Sequence, residues 1–364
     1  MVPYRLFFAL ILAMAAAGAV YVICRFHKLR FVHRIAEKSR LLAWLACLLP
    51  IAACAGFLAV NVYGFVIALV HLIVIWLLCD AIGWVLCRIR GKRPGRYLAG
   101  TVALAFTALY LGVGWFNAHH VFITRYEFTT EKALGQECLR IALMADAHLG
   151  VTQNGASFTR QMERLQEYAP DVVVIAGDFV DDDSKKADML AASDALGALD
   201  APVYFICGNH DKGYFTYRNF TARELEDALR RNGVIILADE TAALTEGIAV
   251  IGRRDRSDRG RLDMQVLTAG LAPEKYQILL DHQPNDYDNE AAAGVDLVLS
   301  GHTHGGHLWP AGQIGLWMGA NDRRYGTERR GNTTFVVTSG ISGWAIPFKT
   351  GTFSEMVIID IMQR

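Results

Sequence analysis

Short clusters of Asp, Asn and His punctuate the second half of this 364-residue chain. They are Asp146-Ala147-His148, Gly177-Asp178, Gly208-Asn209-His210-Asp211, Asp281-His282 and Gly301-His302-Thr303-His304-Gly305-Gly306. Carboxylate, amide and imidazole donors in one site suit manganese, iron or zinc better than calcium. Two such ions about 3.5–4 Å apart can activate water and clamp a phosphoryl oxygen. The clusters hold donors enough for two divalent ions, so the pattern points to a two-metal hydrolase.

Asp146 and His148 are two residues apart and would share one face of a regular strand. On the loop leaving a strand they can converge on one ion. Asp178 is a lone carboxylate able to bridge two ions, and Asn209 offers a neutral oxygen that limits the negative charge. His282, His302 and His304 add imidazoles. Glycines at 177, 208, 301, 305 and 306 allow tight turns beside the ions. Each piece alone is weak, and any single histidine reads equally well as a hydrogen-bonded structural residue. The ordered set carries the specificity.

The clusters sit at the ends of apolar runs, and those runs imply the scaffold. Leu139 to Ala145 feeds into Asp146, Asp171 to Ala176 into Asp178, and Val203 to Cys207 into Asn209. Helical spacing marks 158–168, 185–199 and 221–231, the last with Thr221 and Glu224 in capping-box positions. Strands alternating with helices imply a sheet with helices packed on it. Sites in such sheets form beyond the C-terminal strand ends. After residue 233 the chain changes to short strand-like runs at 233–237, 247–252, 277–281, 297–300, 334–338 and 355–359, with short helical candidates at 263–267 and 289–293. That suits a second sheet packed on the first. The expected fold class is α/β, two packed β-sheets flanked by helices, preceded by an all-α transmembrane region.

At these residues the chain resembles the calcineurin-like metallophosphoesterase family. The pattern Asp146-x-His148, Gly177-Asp178, Gly208-Asn209-His210-Asp211, His282, Gly301-His302-x-His304 is present in order, and the similarity covers about residues 137–361. It also looks like a small membrane-attached bacterial subgroup ending in Gly-His-Thr-His-Gly-Gly. The resemblance implies one ion on Asp146, His148 and His304, a second on Asn209, His282 and His302, and Asp178 bridging them. It makes His210 a non-ligand that contacts the phosphate and helps protonate the leaving oxygen, with Asp211 orienting it. Asp181 matches an acidic position of the family; Asp182 and Asp183 read as a solvated turn. The chain departs from the subgroup at His307, where Gln is common, and near its end, where Lys349 and Ser354-Glu355 stand for an Arg followed by Pro-Glu. Arg and Lys grip phosphate differently, so these changes bear on substrate preference.

The hydrophobic share of 53% is concentrated before residue 120. Apolar runs from about Tyr4 to Cys24, Leu41 to Val60, Val62 to Leu86 and Tyr97 to Asn117 are each long enough to span a bilayer, which takes about 20 residues. The first lacks a clear cleavage site and reads as an uncleaved helix rather than a signal peptide. Basic residues crowd the intervening segments: Arg25, Lys28, Arg30, Arg34, Lys38 and Arg40 in one, Arg88, Arg90, Lys92, Arg93 and Arg96 in the other. Positive charge favours the cytoplasmic side, which puts both linkers inside and the region after residue 120 outside, in the periplasm where there is one. His71 and Asp80 lie within spans, where ionisable groups are costly; an interhelical hydrogen bond or an interfacial position accounts for them. Trp76, Trp84 and Trp115 fit interfacial anchoring. The expected domains are an anchor over 1–120, a linker over 121–136 and a catalytic domain over 137–364.

The seven cysteines form no CxxC pair or disulfide framework, and Cys138 and Cys207 read as buried thiols. A net charge of zero and the lack of a basic binding module give a nucleic-acid partner little support. The expected activity is metal-dependent hydrolysis of a phosphoester, more a diester than a monoester, in a phospholipid or lipid-linked substrate at the outer face of the cytoplasmic membrane, with the lipid bilayer as partner. Alternatives are a pyrophosphatase or phosphodiesterase acting on a nucleotide-linked lipid precursor, and a non-catalytic membrane scaffold or sensor. Trp309, Ile314, Leu316, Trp317 and Met318 follow the last motif and form either an apolar lip beside the bilayer or packing under a loop.

Overall fold

The computed structural model describes residues 2–91, 96–214 and 218–364, with side chains from residue 13 onward. It resolves into two compact units, Met1–Val113 and Gly114–Arg364. The first contains α1 (Val2–Phe26), α2 (Arg30–Lys38), α3 (Arg40–Ala46), α4 (Leu49–Ala55), α5 (Val62–Arg90) and most of α6 (Leu98–His119). Among the described residues, three helical stretches are long and apolar enough to cross a membrane: Arg40–Ala59, Val62–Arg90 and Leu98–His119. For the first expected span, α1 is helical throughout, and its described side chains give an apolar stretch of Ala13–Phe26. Lys92 and Arg93 of the second basic linker lie outside the described residues.

A turn at Asn61 separates the second and third apolar runs. Its side chain accepts a hydrogen bond from the Gly64 N–H at 2.8 Å and caps α5. Gly91 ends that helix in the left-handed region at φ 64°. Asp80 does form interhelical contacts. It pairs with Arg25 Nε of α1 at 2.8 Å and accepts from Tyr97 Oη at 2.6 Å and from Tyr21. The pairing satisfies a charge that an apolar span tolerates poorly. His71 bonds the Ile67 carbonyl of its own helix at 2.8 Å. Trp76 is not an interfacial anchor: it is fully buried and donates to Tyr97 Oη at 2.8 Å. Trp84 stays exposed, with Arg88 over its ring.

The second unit is built on two sheets. One contains β1 (Val121–Thr130), β2 (Cys138–Met144), β3 (Val172–Ala176), β4 (Val203–Ile206), β5 (Ile235–Ile236) and β12 (Ser354–Gln363), in the order β1-β12-β2-β3-β4-β5. The other contains β6 (Glu240–Ala243), β7 (Ile248–Gly252), β8 (Tyr276–Leu280), β9 (Leu297–Ser300), β10 (Gly326–Arg330) and β11 (Thr333–Val337), in the order β10-β11-β9-β8-β7-β6. The helices are α7 (Gly155–Gln166), α8 (Lys186–Gly197), α9 (Ala222–Arg231), α10 (Met264–Thr268), α11 (Tyr287–Ala292) and α12 (Ile314–Trp317).

Period-two alternation sorts the side chains into layers. Along β2, Ile141 and Leu143 join the core between the sheets with Val174, Ile278, Leu280 and Leu299. Ala142 and Met144 turn the other way and pack with Phe158 of α7, Met189 of α8 and Leu225 of α9. On the second sheet, Leu279 and Val298 face α10 and α11 through Met264 and Tyr287. Thr221 and Glu224 form the expected capping box on α9. Residues 121–136 do more than link: β1 occupies 121–130 and pairs in parallel with β12 along its whole length. The seven cysteines are all free, and Cys138 and Cys207 are only partly buried.

Candidate metal centre

Parallel pairing brings the polar clusters to one edge. Strands β2, β3 and β4 run parallel, as do β7, β8 and β9. Their C-terminal ends release Asp146, Asp178 and Asn209 from the first sheet, and His282 and His302 from the second. The loops continue the register beyond the strands: Asp146 N–H donates to Gly177 O at 3.0 Å, His148 N–H to Asp178 O at 3.1 Å, and Gly301 N–H to His282 O at 3.0 Å.

The backbone at these residues is unusual. Asp146, His148, Asp178, His302, His304 and His307 all have φ between 35° and 70°, a region that non-glycine residues enter rarely and at a cost of about 1–3 kcal/mol each. Such strain concentrates at sites where side-chain direction matters. At Gly208 only a missing side chain fits, since a Cβ there would stand 2.2 Å from Asp178 Oδ1.

Among the described residues three donor groups have ligand atoms within 4.8 Å of one another, and two hold the expected ligands: Asp146, His148 and His304 in one, Asp178, His282 and His302 in the other; His148, Asp181 and His210 form the third. Asn209 joins the second. Its Nδ2 donates to Tyr214 Oη at 2.9 Å, which leaves Oδ1 3.2 Å from His282 Nε2. Asp178 faces both groups, with Oδ2 3.1 Å from His282 Nε2 and 3.6 Å from His148 Nε2. Every residue named as a ligand from the sequence is therefore in one cluster.

The donors are arranged for positive charge. His282 Nδ1 donates to the Ala176 carbonyl at 2.7 Å, which turns Nε2 toward Asp178 and Asn209. Nε2 thus meets two acceptors, Asp178 Oδ2 and Asn209 Oδ1, at a point where a positive charge is favoured, either a proton on His282 or a cation in its place. Both ring nitrogens of His148 are buried without a hydrogen-bond partner, a state that is costly unless a ligand fills it. Burial, and then the nearby positive His282, hold His302 at about 4. Burial and His148 hold His304 well below the usual imidazole range. Both shifts favour the neutral ring that metal ligation by imidazole requires. Burial pushes the Asp146 carboxyl up, Asp178 adding to it against His282 and His148. For Asp178 burial acts upward, yet His282 and His148 carry the group well below the usual carboxylate range. The donor set fits divalent ions.

Asp211 does not orient His210. Its buried carboxylate accepts four backbone N–H groups, from Asp178, Phe179, Val180 and Gly208, at 2.8–3.1 Å. It clamps the β3 and β4 loops together. The partner of His210 is Asp181, whose Oδ1 lies 3.2 Å from Nδ1. Burial works against charging His210, but Asp181, Asp178 and Asp211 outweigh it and raise its pKa. Sequence reasoning left Asp181 out of the site, although its acidic position was a usable signal. Asp182 is not solvated either: it is buried and accepts from the Tyr214 N–H at 3.1 Å.

Two further polar residues take structural roles. Asp281 is not a donor to the cluster; it pairs with Arg261 at 2.5 Å and Arg253 at 3.2 Å. Lys349 grips no phosphate. It is fully buried and donates to the carbonyls of Ser339 at 2.6 Å and Gly340 at 3.1 Å.

The model of the calcineurin-like phosphoesterase family matches residues 139–306, a span that includes every cluster residue from Asp146 to His304. A metallophosphoesterase of Aquifex aeolicus, itself uncharacterized, is 30% identical over 265 residues, 70% of this chain and 98% of its own. A transmembrane protein with a metallophosphoesterase domain from Danio rerio is 28% identical over 85% of this chain and 74% of its own. An uncharacterized metallophosphoesterase of Bacillus subtilis is 30% identical over 57% of this chain and 74% of its own. With this donor set and these relatives, the chain belongs to the calcineurin-like metallophosphoesterases.

Proposed function

We propose that this chain is a membrane-anchored, two-metal phosphodiesterase acting on a phospholipid or lipid-linked phosphoester at the outer face of the cytoplasmic membrane. The observation that carries the two-metal reading is the pair of donor groups on either side of Asp178. Asp146, His148 and His304 would hold one ion, Asn209, His282 and His302 the other, and Asp178 would bridge. Ions held there would supply Lewis-acid charge to a phosphoryl group and acidify water.

The chain's own residues do the rest. Ala176 O fixes the ring of His282 and Tyr214 Oη the side-chain amide of Asn209, so that Nε2 of one and Oδ1 of the other face inward. Asp211 holds the bridging loop in place through backbone N–H groups. His210 is half-buried at the cluster and engages Asp181 through Nδ1, which leaves Nε2 to meet the phosphate or deliver a proton to the leaving oxygen. Apolar helices and the transmembrane relatives support the anchor; the basic linkers support the outward orientation. The test is product analysis after incubating detergent-solubilised protein with membrane lipids and manganese or zinc. Release of a phosphorylated head group supports the diesterase reading, release of phosphate alone replaces it with a monoesterase, and no phosphorus-containing product removes lipids as substrates.

A further inference from the structure

The segment that follows the last motif turns its apolar side chains outward. Trp309 is 61% exposed, Ile314 48%, Trp317 75% and Met318 77%. They do not pack under a loop. Single exposed apolar residues need no explanation, but a run of them beside a polar site marks an interaction surface.

Backbone hydrogen bonds fasten this lip to the end of α6. Trp309 N–H donates to Thr350 Oγ1 at 3.1 Å, and the N–H groups of Thr350 and Gly351 both donate to His307 O at 3.0 Å. On the other side of that loop, Lys349 N–H donates to Gly114 O at 2.8 Å and Asn117 Nδ2 to Lys349 O at 3.3 Å. The Trp115 and Phe348 rings meet edge-on at 5.9 Å. Helix α6 is one of the stretches able to cross a membrane. The loop at 348–351 thus joins the C-terminal turn of α6 to the lip. Across the site, the half-exposed Trp344 stands with its ring 5.3 Å from that of His210.

We propose that residues 309–318 insert into the interfacial layer of the leaflet from which α6 emerges, so that the metal centre opens onto that leaflet and takes a phosphoester whose apolar part remains in lipid. Trp suits the head-group region, with an apolar ring and one N–H donor. Continuity with α6 selects the bilayer over a second copy of the chain, because the membrane already lies at that end of the helix. The docking half stands on this geometry alone; the substrate half rests on the phosphoester reading above.

The test uses the full chain in lipid nanodiscs, with and without brominated acyl chains. Trp317 emission is isolated by subtracting the Trp317→Phe variant. Bromine should remove most of that component. An unquenched Trp317 overturns the docking, and a change from dimer to monomer in Trp317→Glu/Met318→Glu would then assign the face to a copy–copy contact. The same double variant should lose turnover of a lipid-borne phosphodiester in mixed micelles while keeping that of a water-soluble aryl phosphodiester. Equal retention or equal loss on both overturns the substrate half. A wild type that cleaves neither removes the phosphoester reading itself, and the quenching result still decides the docking.

Discussion

Asp181 stands between two imidazoles: its Oδ1 is 3.2 Å from His210 Nδ1 and its Oδ2 is 3.6 Å from His148 Nδ1. One carboxylate therefore orients the proposed leaving-group acid and stands within ion-pair distance of a proposed metal ligand. His210→Ala should lower turnover by roughly 10²–10⁴-fold with both ions retained. The defect should shrink for a nitrophenolate leaving group, which needs no proton. Asp181→Asn should show the same leaving-group dependence with a smaller loss. Elemental analysis and rates on good and poor leaving groups check this; loss of an ion in His210→Ala would make that histidine a ligand.

Asp178→Asn tests the bridge. The amide keeps the shape but not the charge that faces both donor groups. Turnover should vanish, and metal content should fall from about two ions per chain, while circular dichroism stays close to wild type. Normal rates with full metal content would show another residue to be the bridge. Chelation of the wild type should lower its melting temperature, because a ligand bound only to the folded state stabilises it.

Asp211→Asn should act through stability. An amide in place of the carboxylate turns a donor toward backbone N–H groups of a buried loop. Leaving such groups unpaired costs about 1–3 kcal/mol. Urea unfolding should show that loss, and metal binding should weaken because the clamp holds Asp178. A variant with unchanged stability would remove Asp211 from the loop-holding role.

The orientation is checked by protease added to intact spheroplasts. If both basic linkers face the cytoplasm, the region after residue 120 is removed from outside. Full protection there, with cleavage only in inverted vesicles, would reverse the topology.

Much of the catalytic unit was legible in the chain. The buried parallel strands are near-continuous apolar runs, as strands covered on both faces must be, and β2, β3, β4, β8 and β9 end at polar clusters. The edges were harder to see. Strand β10 reads Gly-Thr-Glu-Arg-Arg and β6 Glu-Thr-Ala-Ala; edge strands carry charge and few apolar residues, so their signal is weak. Strand β1 was passed over as a linker because its side chains are mostly only partly buried. The cluster's membership followed from residue types in order. The roles of Asp181, Asp211 and Lys349 did not, because they depend on which nearby backbone and ring atoms each side chain meets, and spacing along the chain does not encode that.

Strand β12 holds the last consequence. It lies between β1 and β2, parallel to one and antiparallel to the other, although it follows all the other described strands along the chain. During synthesis β1 leaves the ribosome just after the apolar helices and then has no neighbour until β12 emerges. At about 5–20 residues per second that wait is on the order of tens of seconds. Through it, the nascent chain is tethered near a bilayer with an unpaired, half-apolar ribbon exposed, while the cluster residues are already complete. Closure of the first sheet thus waits for β12, and a chain that stopped before it would leave β1 a sticky end rather than an edge.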